Sequence, residues 1–529
     1  MQRGTPSSTP DVIIGADLGT SRAKAVAYDA GGRGYHKAVA DVELRTPAPG
    51  WMEQDPDALV EASAGTVREV AAAVEQGGGR VVGVALSGAM HSLLALDRAG
   101  QPLTPAITWA DGRAAAQASE LGRRPGAAEL RRRTGTPTAA MAPLAKLRWF
   151  AQEEPELAHK AARWLSVKEY LLLGLCGEAL VDHSMASATG LFDLAARDWD
   201  AEALDLAEVT REQLSTPVST TAVIGRLAGD AARRLGLPDG TPLVAGAADG
   251  CLENLGAGAV DEGVAAVTIG TSGAVRCVVT RPQGDPTGRL FCYALTDDRW
   301  VVGGPINNGG LVLHWAEHRL FPGLGAEAEQ QGRSVYELVD ELVAGVPAGA
   351  AGLVCLPALV GERAPWWDPE LRGVLIGLSR GHGREHVLRA LMEGVGYSLA
   401  TVVDAMEQDG RHIREVHATG GFTLSPRWVE IIAGALGRPV SLPDDHEGAC
   451  FGAALLGLAA LGLADALDLA RQVAADDRVV RPDPADADTY RRTYAVFSGL
   501  AERLAPEFAA LEELRAAHPR VAHTLSGGA

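Results

Sequence analysis

The 529-residue sequence is poor in aromatic residues, in cysteine and in positive charge. Aromatic residues make up 5% of the chain and hydrophobic residues 47%, so the core must be built from Ala, Val and Leu, as in helix-rich α/β proteins. The six cysteines are widely spread without a C-x-x-C pair, which favours a reducing compartment over a disulfide framework or a zinc site. The formal charge of −19 argues against nucleic acid or an anionic membrane as partner, because both bind basic faces.

Long hydrophobic runs are also missing. The longest apolar run, residues 449–464, is rich in Gly and Ala. It is shorter than the roughly 20 residues that a membrane span needs, so we predict a buried helix there. Residues 1–10 are polar and lack the apolar core of an export signal, so we expect a disordered tail and a soluble, cytoplasmic protein.

Three common catalytic motifs do not occur in the sequence. No Gly-Lys pair is present, which excludes a P-loop enzyme. No G-x-S-x-G or H-E-x-x-H is present either, which removes the commonest hydrolase and zinc-protease hypotheses. The segment 256–261 lacks the third glycine of a dinucleotide-binding fingerprint.

What the chain does contain is a hairpin pattern near its start. Two apolar runs within residues 13–29 flank the turn Gly19-Thr20-Ser21 and are predicted to be paired strands. The backbone N–H groups and hydroxyls of such a turn suit phosphate oxygens. Asp17 ends the first run, where it is placed to hold a metal ion or a metal-bound water. An ordinary β-hairpin without a ligand is the alternative.

The pattern occurs a second time. Thr268-Ile269-Gly270-Thr271-Ser272 repeats the first turn, and the strand ending at Gly88 has a looser echo ending at Gly420. Two similar domains facing each other would place two phosphate-holding turns across one cleft. Only the first copy has the acid, because Thr268 replaces Asp17 in the second.

The order of elements predicts an α/β protein. A third strand at about 37–44 follows the hairpin, then a helix from Pro56 to about Val74 and a near-continuous apolar strand at 81–88. Further helix–strand units continue the pattern. The polar cluster 184–193 is predicted to be a turn leading into a short strand.

Three positions at predicted strand ends are candidate substrate or catalytic residues. His91 follows the buried strand, and Trp109 could stack on a sugar ring, with Asp111 and Arg113 close by. The alternatives are a structural histidine and a core tryptophan beside a surface ion pair. Asp249 ends the apolar segment 242–248, where it would either cap the following helix or act as a general base.

The second half of the chain adds glycine turns between predicted strands and helices. Gly309-Gly310 and Gly420-Gly421 would let a phosphate or a flat ring approach the backbone closely. Tight packing of a strand against a helix is the alternative explanation.

Taken in order, these motifs give the chain a resemblance to the FGGY family of carbohydrate kinases over residues 11–505. The motifs that carry the resemblance are D-L-G-T-S-x-x-K at 17–24, M-H at 90–91, W-A-D-G-R at 109–113, S-M-A-S-A-T-G-L-F-D at 184–193, A-G-A-A-D at 245–249, G-T-S-G at 270–273, G-E-R-A-P at 361–365, R-G at 372–373 and A-T-G-G at 418–421. The chain departs from many members at Trp366-Trp367, where they have His or Tyr followed by Asn.

The resemblance implies two actin-like, ribonuclease H-like ATPase domains related by internal duplication, with ATP and sugar in the cleft between them. The implied bounds are 11–256 for the domain on the sugar and Mg-phosphate side and 257–505 for the domain on the nucleotide side. Residues 506–529 would form a C-terminal helix and tail.

The resemblance also assigns roles to site residues. Asp249 would be the catalytic base, and Asp17 would hold Mg²⁺. The other implied ligand-binding residues are Thr20, Ser21, Lys24, Gly270 and Thr271 on the phosphates, Gly310, Gly420, Gly421 and Ser425 on the nucleoside side, and Met90, His91, Trp109 and Asp249 on the sugar side.

Within the family, the M-H-S turn and T-W-A-D are most similar to gluconokinases. Ser92 and Ala110 stand where xylulokinases usually have Gly and Asn. We therefore expect ATP-dependent phosphorylation of D-gluconate to 6-phospho-D-gluconate, with a xylulokinase or other pentulose kinase as the alternative. A non-metabolic actin-like ATPase switch is the alternative from another class. The sequence leaves open whether His91 or Arg113 binds a substrate carboxylate, and whether the protein is a homodimer.

Overall fold

The computed structural model describes residues 10–443, 447–474 and 478–517. Residues 1–9 of the predicted tail therefore lie outside the described residues, and so do residues 518–529. The strands are β1 Asp11–Leu18, β2 Arg22–Asp29, β3 Gly34–Asp41, β4 Glu53–Gln54, β5 Arg80–Gly88, β6 Leu94–Leu96, β7 Ala106–Ile107, β8 Arg163–Leu165, β9 Leu180–Asp182, β10 Phe192–Asp193, β11 Asp198–Trp199, β12 Thr216–Val218, β13 Val223–Arg226, β14 Pro242–Ala248, β15 Val264–Ile269, β16 Gly273–Val279, β17 Phe291–Ala294, β18 Trp300–Ile306, β19 Val354–Leu356, β20 Val374–Ile376, β21 Glu415–Thr419, β22 Val440–Leu442 and β23 Arg478–Val480.

α-Helices lie in half of the connections between consecutive strands. The α-helices are α1 Pro56–Gln76, α2 Ala115–Arg123, α3 Ala127–Thr134, α4 Pro143–Glu153, α5 Pro155–Lys160, α6 Val167–Cys176, α7 His183–Ser187, α8 Ala201–Ala207, α9 Gly229–Leu235, α10 Asp249–Gly256, α11 Leu311–Trp315, α12 Leu324–Gln330, α13 Val335–Ala344, α14 Arg384–Gln408, α15 Pro426–Leu436, α16 Gly448–Ala460, α17 Ala466–Ala474, α18 Ala487–Phe497, α19 Leu500–Arg503 and α20 Ala505–Ala517. None of these helices combines the length and the apolar character that crossing a membrane requires.

The described residues form two compact units that are not contiguous in sequence. The first contains residues 10–261, 278–302 and 447–474, and the second contains residues 262–277, 303–443 and 478–517. Both mix strands and helices, so the α/β prediction is confirmed.

The first unit is built on a six-stranded sheet with the order β13-β14-β5-β1-β2-β3. β1 and β2 form the predicted antiparallel hairpin, and β5 runs parallel to β1 on its other side. β14 in turn runs parallel to β5. The carboxyl ends of β1, β5 and β14 therefore meet at one edge of the sheet.

A helix covers each face of this sheet. α1 begins where the Asp55 carboxylate accepts hydrogen bonds from the backbone of Asp57 and Ala58, and its apolar side joins the core. α16 is buried over most of its length, as predicted, and contacts β1 so closely that a Cβ at Gly15 would lie 1.9 Å from the Cys450 carbonyl oxygen. Only glycine is compatible with that approach.

The second unit repeats the local topology of the hairpin. Five adjacent strands of its main sheet follow the order β16-β15-β21-β22-β23. β15 pairs antiparallel with β16 and parallel with β21, as β1 pairs with β2 and β5. In this register Thr268 lies opposite Thr419, the counterpart of Asp17 opposite Ser87.

The structure corrects one local prediction. The cluster 184–193 begins as the short helix α7 rather than as a turn, and only its end forms a strand, β10. The reason is the residue before the helix, because the Asp182 carboxylate accepts a hydrogen bond from the Met185 N–H at 2.9 Å and caps α7.

Candidate functional site

Predicted site residues of the first unit meet at the shared edge of β1, β5 and β14. Asp17 lies at the end of β1, and Asp249 follows the last residue of β14. β5 lies between these strands. Neighbouring strands are about 4.8 Å apart, so the two backbone positions are separated by roughly 10 Å.

Asp17 is a buried carboxylate with a hydroxyl partner. Its Oδ1 accepts a hydrogen bond from the Ser87 hydroxyl at 2.6 Å. Burial raises the pKa of Asp17, and the Ser87 hydrogen bond and the Lys24 charge oppose that effect. A cation at this position would therefore stabilise the charged form of the side chain.

Asp17 fits one mode of metal binding. Among the described residues, no group of three or more His, Cys, Asp or Glu side chains could hold a metal ion. Mg²⁺ is usually bound through one or two carboxylates together with substrate phosphates and water. A single buried carboxylate beside a turn rich in N–H groups and hydroxyls matches that donor set.

The turn after β1 is joined to the tryptophan expected on the sugar side. The Trp109 indole N–H donates to the Thr20 hydroxyl at 3.0 Å, and the Gln54 amide donates to the Thr20 carbonyl at 2.7 Å. Ser21 is exposed beside them. The hydrogen bond from the indole N–H therefore fixes the orientation of the Trp109 ring relative to Thr20.

Lys24 lies opposite Asp17 in the hairpin and pairs with an acidic residue that is distant in sequence. Its Nζ lies 2.7 Å from Glu447 Oε2, and Lys37 bonds the other oxygen of the same carboxylate. Burial would lower the pKa of Lys24, but the hydrogen bond and charge of Glu447 raise it overall. Glu447 therefore keeps Lys24 charged next to the turn.

His91 has a fixed orientation. Its backbone is left-handed, with a φ of +64°, and its ring Nδ1 donates to the Ala188 carbonyl at 2.8 Å. This bond places a proton on Nδ1. The ring also meets the edge of Tyr293 at a centroid distance of 5.8 Å. Met90, the residue before it, is half-buried.

Asp249 occupies the first position of α10 and is not its N-cap. The capping position belongs to Ala248, whose side chain makes no cap bond, while Asp249 Oδ1 accepts from the Gly250 N–H at 2.7 Å. The half-buried carboxylate therefore lies at the strand end and at a helix N-terminus, where a negative charge is favoured.

Arg113 is fully engaged in a structural ion pair. Its guanidinium makes a two-point contact with Asp111 at 2.8 Å on each side, a further bond to Glu53 at 2.6 Å, and lies 3.7 Å from the centre of the Trp51 ring. The side chain is 4% exposed. The surface ion pair expected near Trp109 is thus a buried one.

In the second unit, the repeated turn is held by the segment at the start of α11. The Gly310 N–H donates to the Gly270 carbonyl at 2.7 Å, and the Gly309 and Leu311 N–H groups donate to the Thr271 carbonyl. Gly270 and the Thr271 side chain remain exposed. The predicted phosphate residue Gly270 is thus in direct contact with the predicted nucleoside residue Gly310, and the two neighbours of Gly310 bond Thr271.

The G-E-R-A-P motif supplies the support for that segment. Glu362 is buried, and its carboxylate accepts hydrogen bonds from the Asn307 N–H and, at 3.0 Å, from the Asn308 side chain. Burial raises the pKa of Glu362, against the effect of these bonds. The sequence places Glu362 in a motif without a role, and the structure identifies it as the anchor of the segment 307–310.

The end of β21 approaches the same turn. Gly420 has a φ of +96°, and a Cβ there would lie 2.5 Å from the Ile269 carbonyl oxygen, so tight strand packing requires the glycine. Gly421 has open space at its Cβ position. Ser425 is 1% exposed and caps α15 by accepting from the Trp428 N–H, while its hydroxyl donates to Asp340.

Three polar residues of the first unit were not predicted from the sequence. They are Lys146, Lys168 and Asp182, and all three are buried. Lys168 Nζ bonds Asp182 at 2.8 Å and the Ala247 carbonyl at 3.1 Å, just before Asp249. A single lysine inside an apolar segment was the available signal, since a buried lysine needs partners.

Comparison with known proteins shows where this architecture occurs. The family model for the FGGY family of carbohydrate kinases, N-terminal domain, matches residues 12–256, and the model for its C-terminal domain matches residues 265–461. Gluconokinase from Bacillus subtilis (strain 168) is 38% identical over 498 residues, which cover 94% of this chain and 96% of that protein. Xylulose kinase from Lactococcus lactis subsp. lactis (strain IL1403) is 28% identical, with 92% and 95% covered.

Two solved structures are similar over almost the whole chain. Gluconate kinase from Lactobacillus acidophilus has a TM-score of 0.88 at 31% identity, with 95% of this chain and 99% of that chain covered. A ligand-bound xylulose kinase from the same organism has a TM-score of 0.88 at 31% identity, with 95% and 100% covered. The predicted two-domain, actin-like architecture is confirmed by this similarity.

Proposed function

Because the chain belongs to the FGGY family of carbohydrate kinases, we propose that it phosphorylates D-gluconate to 6-phospho-D-gluconate with Mg-ATP. Kinases of this family use ATP and act on small sugars. The observation that carries the choice of gluconate is the higher identity to gluconokinase than to xylulose kinase over nearly the same span. Xylulose remains the second candidate, because the two solved structures are equally similar to this chain.

We propose Asp249 as the general base. A sugar hydroxyl is a weak nucleophile, so a carboxylate that accepts its proton assists the attack on phosphorus. The new O–P bond forms as the bond to ADP breaks, and the proton goes to Asp249. The Gly250 N–H on Oδ1 and the start of α10 hold this carboxylate in place and favour its charged form.

We propose that the first turn and Lys24 bind phosphate oxygens. Thr20 and Ser21 offer hydroxyls, and Lys24 is kept charged by Glu447. Asp17 would hold Mg²⁺, which neutralises charge on the transferring phosphoryl group when bound. In the second unit, the exposed Gly270 and Thr271 are proposed for phosphate contact. The residues proposed for the nucleoside are Gly310, Gly420, Gly421 and Ser425.

We propose Met90, His91 and Trp109 for the sugar. The bond from Trp109 to Thr20 supports this role, because it ties a flat apolar surface to the phosphate turn. Since both carboxylates around Arg113 already neutralise its guanidinium, His91 is the better candidate for a substrate carboxylate, which its Nε2 would bind when both ring nitrogens are protonated. The domain bounds at 256 and 257, the cytoplasmic location and a homodimer stay predictions.

A coupled ADP-release assay tests the substrate. The purified chain is supplied with Mg-ATP and, in separate reactions, gluconate, xylulose, ribulose or glycerol. We expect kcat/KM for gluconate to exceed that for the other acceptors by at least about 100-fold. Preference for xylulose would replace gluconate as the substrate, and ATP turnover that does not depend on any acceptor would contradict a sugar kinase.

The variant Asp249→Asn tests the base. We expect kcat to fall by about 10²–10⁴-fold, with ATP binding by calorimetry unchanged. Asp205→Asn, an exposed carboxylate on α8, is the matched control and should keep wild-type turnover. Retained turnover in Asp249→Asn would show that another group takes the proton.

A further inference from the structure

A fully buried lysine connects the two loops that carry His91 and Trp109. Lys146 lies on α4 and has no exposed surface. Its Nζ is 2.6 Å from the His91 carbonyl oxygen and 2.7 Å from that of Thr108, with the Ile107 carbonyl at 3.4 Å. An ammonium group has three N–H donors, so these three carbonyls match its capacity.

The contacts are unusual because none of them is to a carboxylate. The nearby Asp111 carboxylate instead bonds Arg113 and the Met52 N–H. Burial lowers the pKa of Lys146 to about 7, and the charges of Asp111 and Arg113 act on it in opposite directions. An apolar side chain would fill the same space without this desolvation cost, so what the ammonium adds is the fixed position of the carbonyls.

The position of His91 shows why a fixed carbonyl matters. The left-handed backbone at a non-glycine residue is strained and persists only when the surroundings hold it. The ring of His91 is held through Ala188 and its carbonyl through Lys146. On the other loop, Lys146 bonds the residue directly before Trp109.

We propose that Lys146 is a positioning residue for the sugar, which sets the separation of His91 and Trp109 by bonding the carbonyls of both loops. The inference rests on the proposed sugar-kinase function and concerns acceptor binding. The backbone bridge between Leu93 and Ile107 holds the two loops together without Lys146, so loss of the ammonium would free only the carbonyls of His91 and Thr108. A resulting misplacement of His91 or Trp109 by about 1 Å can cost about 100-fold in rate. Neither carbonyl belongs to a residue that we propose for ATP, although the bond from Trp109 to Thr20 links one of the loops to the phosphate turn.

The test is a comparison of KM values for the sugar and for ATP in Lys146→Met and Lys146→Gln. The acceptor is whichever of the four sugars the wild-type chain phosphorylates, so an error in the choice of gluconate does not affect the result. We expect KM for the sugar to rise by about 10–100-fold in Lys146→Met and less in Lys146→Gln, which keeps two N–H donors. KM for ATP should change by less than about threefold.

Leu147→Ala is the matched control. It removes a buried side chain from the next position of the same helix and should lower the melting temperature without raising KM for the sugar. If Lys146→Met does not fold, Lys146→Gln is used in its place. The measurement is then the increase in the melting temperature of Lys146→Gln when sugar is added. Equal changes in both KM values, or no change in either, would overturn the proposal and leave Lys146 a purely structural residue.

Discussion

The two hairpins of the molecule share a topology and differ in their chemistry. In the first, Asp17 accepts a hydrogen bond from Ser87 on the neighbouring parallel strand. In the second, the equivalent pair is Thr268 and Thr419, whose hydroxyls are 2.9 Å apart. The same backbone arrangement therefore holds a buried carboxylate in one unit and a neutral hydroxyl pair in the other.

The turns also differ in length. The last paired residues are Leu18 and Ala23 in the first hairpin and Ile269 and Gly273 in the second. The first turn therefore encloses four residues and the second three. As a consequence, the residue opposite Asp17 is Lys24, whereas Ala274 lies opposite Thr268. Duplication has kept the framework, while the charge pair is present only in the first copy.

The largest expected effect comes from making the first copy resemble the second. Asp17→Thr should lower kcat by about 1,000-fold, because the proposed Mg²⁺ ligand is lost. The measurement is steady-state turnover over a range of Mg²⁺ concentrations. Asp41→Thr, an exposed residue on β3, is the control. Turnover within tenfold of the wild type in Asp17→Thr would mean that the charge difference between the hairpins has no catalytic role.

The reverse exchange should cost stability. Thr268→Asp places a carboxylate in a half-buried strand position without a facing lysine, so we expect the free energy of unfolding to fall by about 2 kcal/mol. Urea denaturation measures this change. The double variant Asp17→Thr/Thr268→Asp should be as inactive as Asp17→Thr alone, because the shorter turn and Ala274 are unchanged. Recovered turnover would show that the acid alone defines the difference.

A third comparison uses two capping boxes, one in each unit. Glu169 in α6 accepts from the Ser166 N–H, and Glu337 in α13 accepts from the Ser334 N–H, both at 2.7 Å. Burial raises the pKa of Glu169 to about 6, whereas the hydrogen bonds of Ser334 lower the pKa of the exposed Glu337. The pKa of the glutamate in this motif is therefore raised in α6 and lowered in α13, because only Glu169 is buried.

The sign of each effect on stability follows from linkage. The pKa of Glu169 is higher in the folded chain than in the unfolded chain, where it is about 4.5. Glu169 therefore contributes to the free energy of unfolding below pH 4.5, and this contribution is lost as the pH rises through 6. Glu169→Gln keeps the cap and should add about 1 kcal/mol to the free energy of unfolding at pH 7.5, with no difference near pH 4. Glu337→Gln should lower it at pH 7.5. Urea denaturation at both pH values checks this, and a stabilising effect of both substitutions would contradict it.

Sequence patterns predicted the elements that depend on local periodicity. The hairpin, the buried strand β5 and the helix α1 follow from apolar runs, from turn residues and from Asp55-Pro56. α7 was missed because one residue, Asp182, provides its cap. The alternation of elements predicted the α/β class, whereas the two actin-like domains were predicted from the family resemblance.

For the site, the sequence predicted which residues lie at the ends of strands, but not which side chains surround them. Asp17 and Asp249 are strand-end residues, so their shared edge follows from parallel pairing. The partners that set their environment come from distant parts of the chain, as with Glu447 for Lys24 and Lys168 beneath β14. The spacing of residues along a sequence does not predict contacts between distant segments. The burial of Arg113 between Asp111 and Glu53 could not be predicted for this reason, because Glu53 lies far from Arg113 in the sequence.

The packing of α16 against β1 has a consequence for folding during synthesis of the protein. Cys450 of that helix and Lys24 of the hairpin that it contacts are 426 residues apart. A ribosome adds about 5–20 residues per second, so the amino-terminal sheet waits roughly 20–90 s for its second layer. Until then the face of the sheet that α16 covers stays exposed, and exposed apolar surface of this kind is prone to aggregation. A message truncated before codon 448 would encode every first-unit residue proposed for sugar and Mg²⁺ and still yield a chain prone to aggregation.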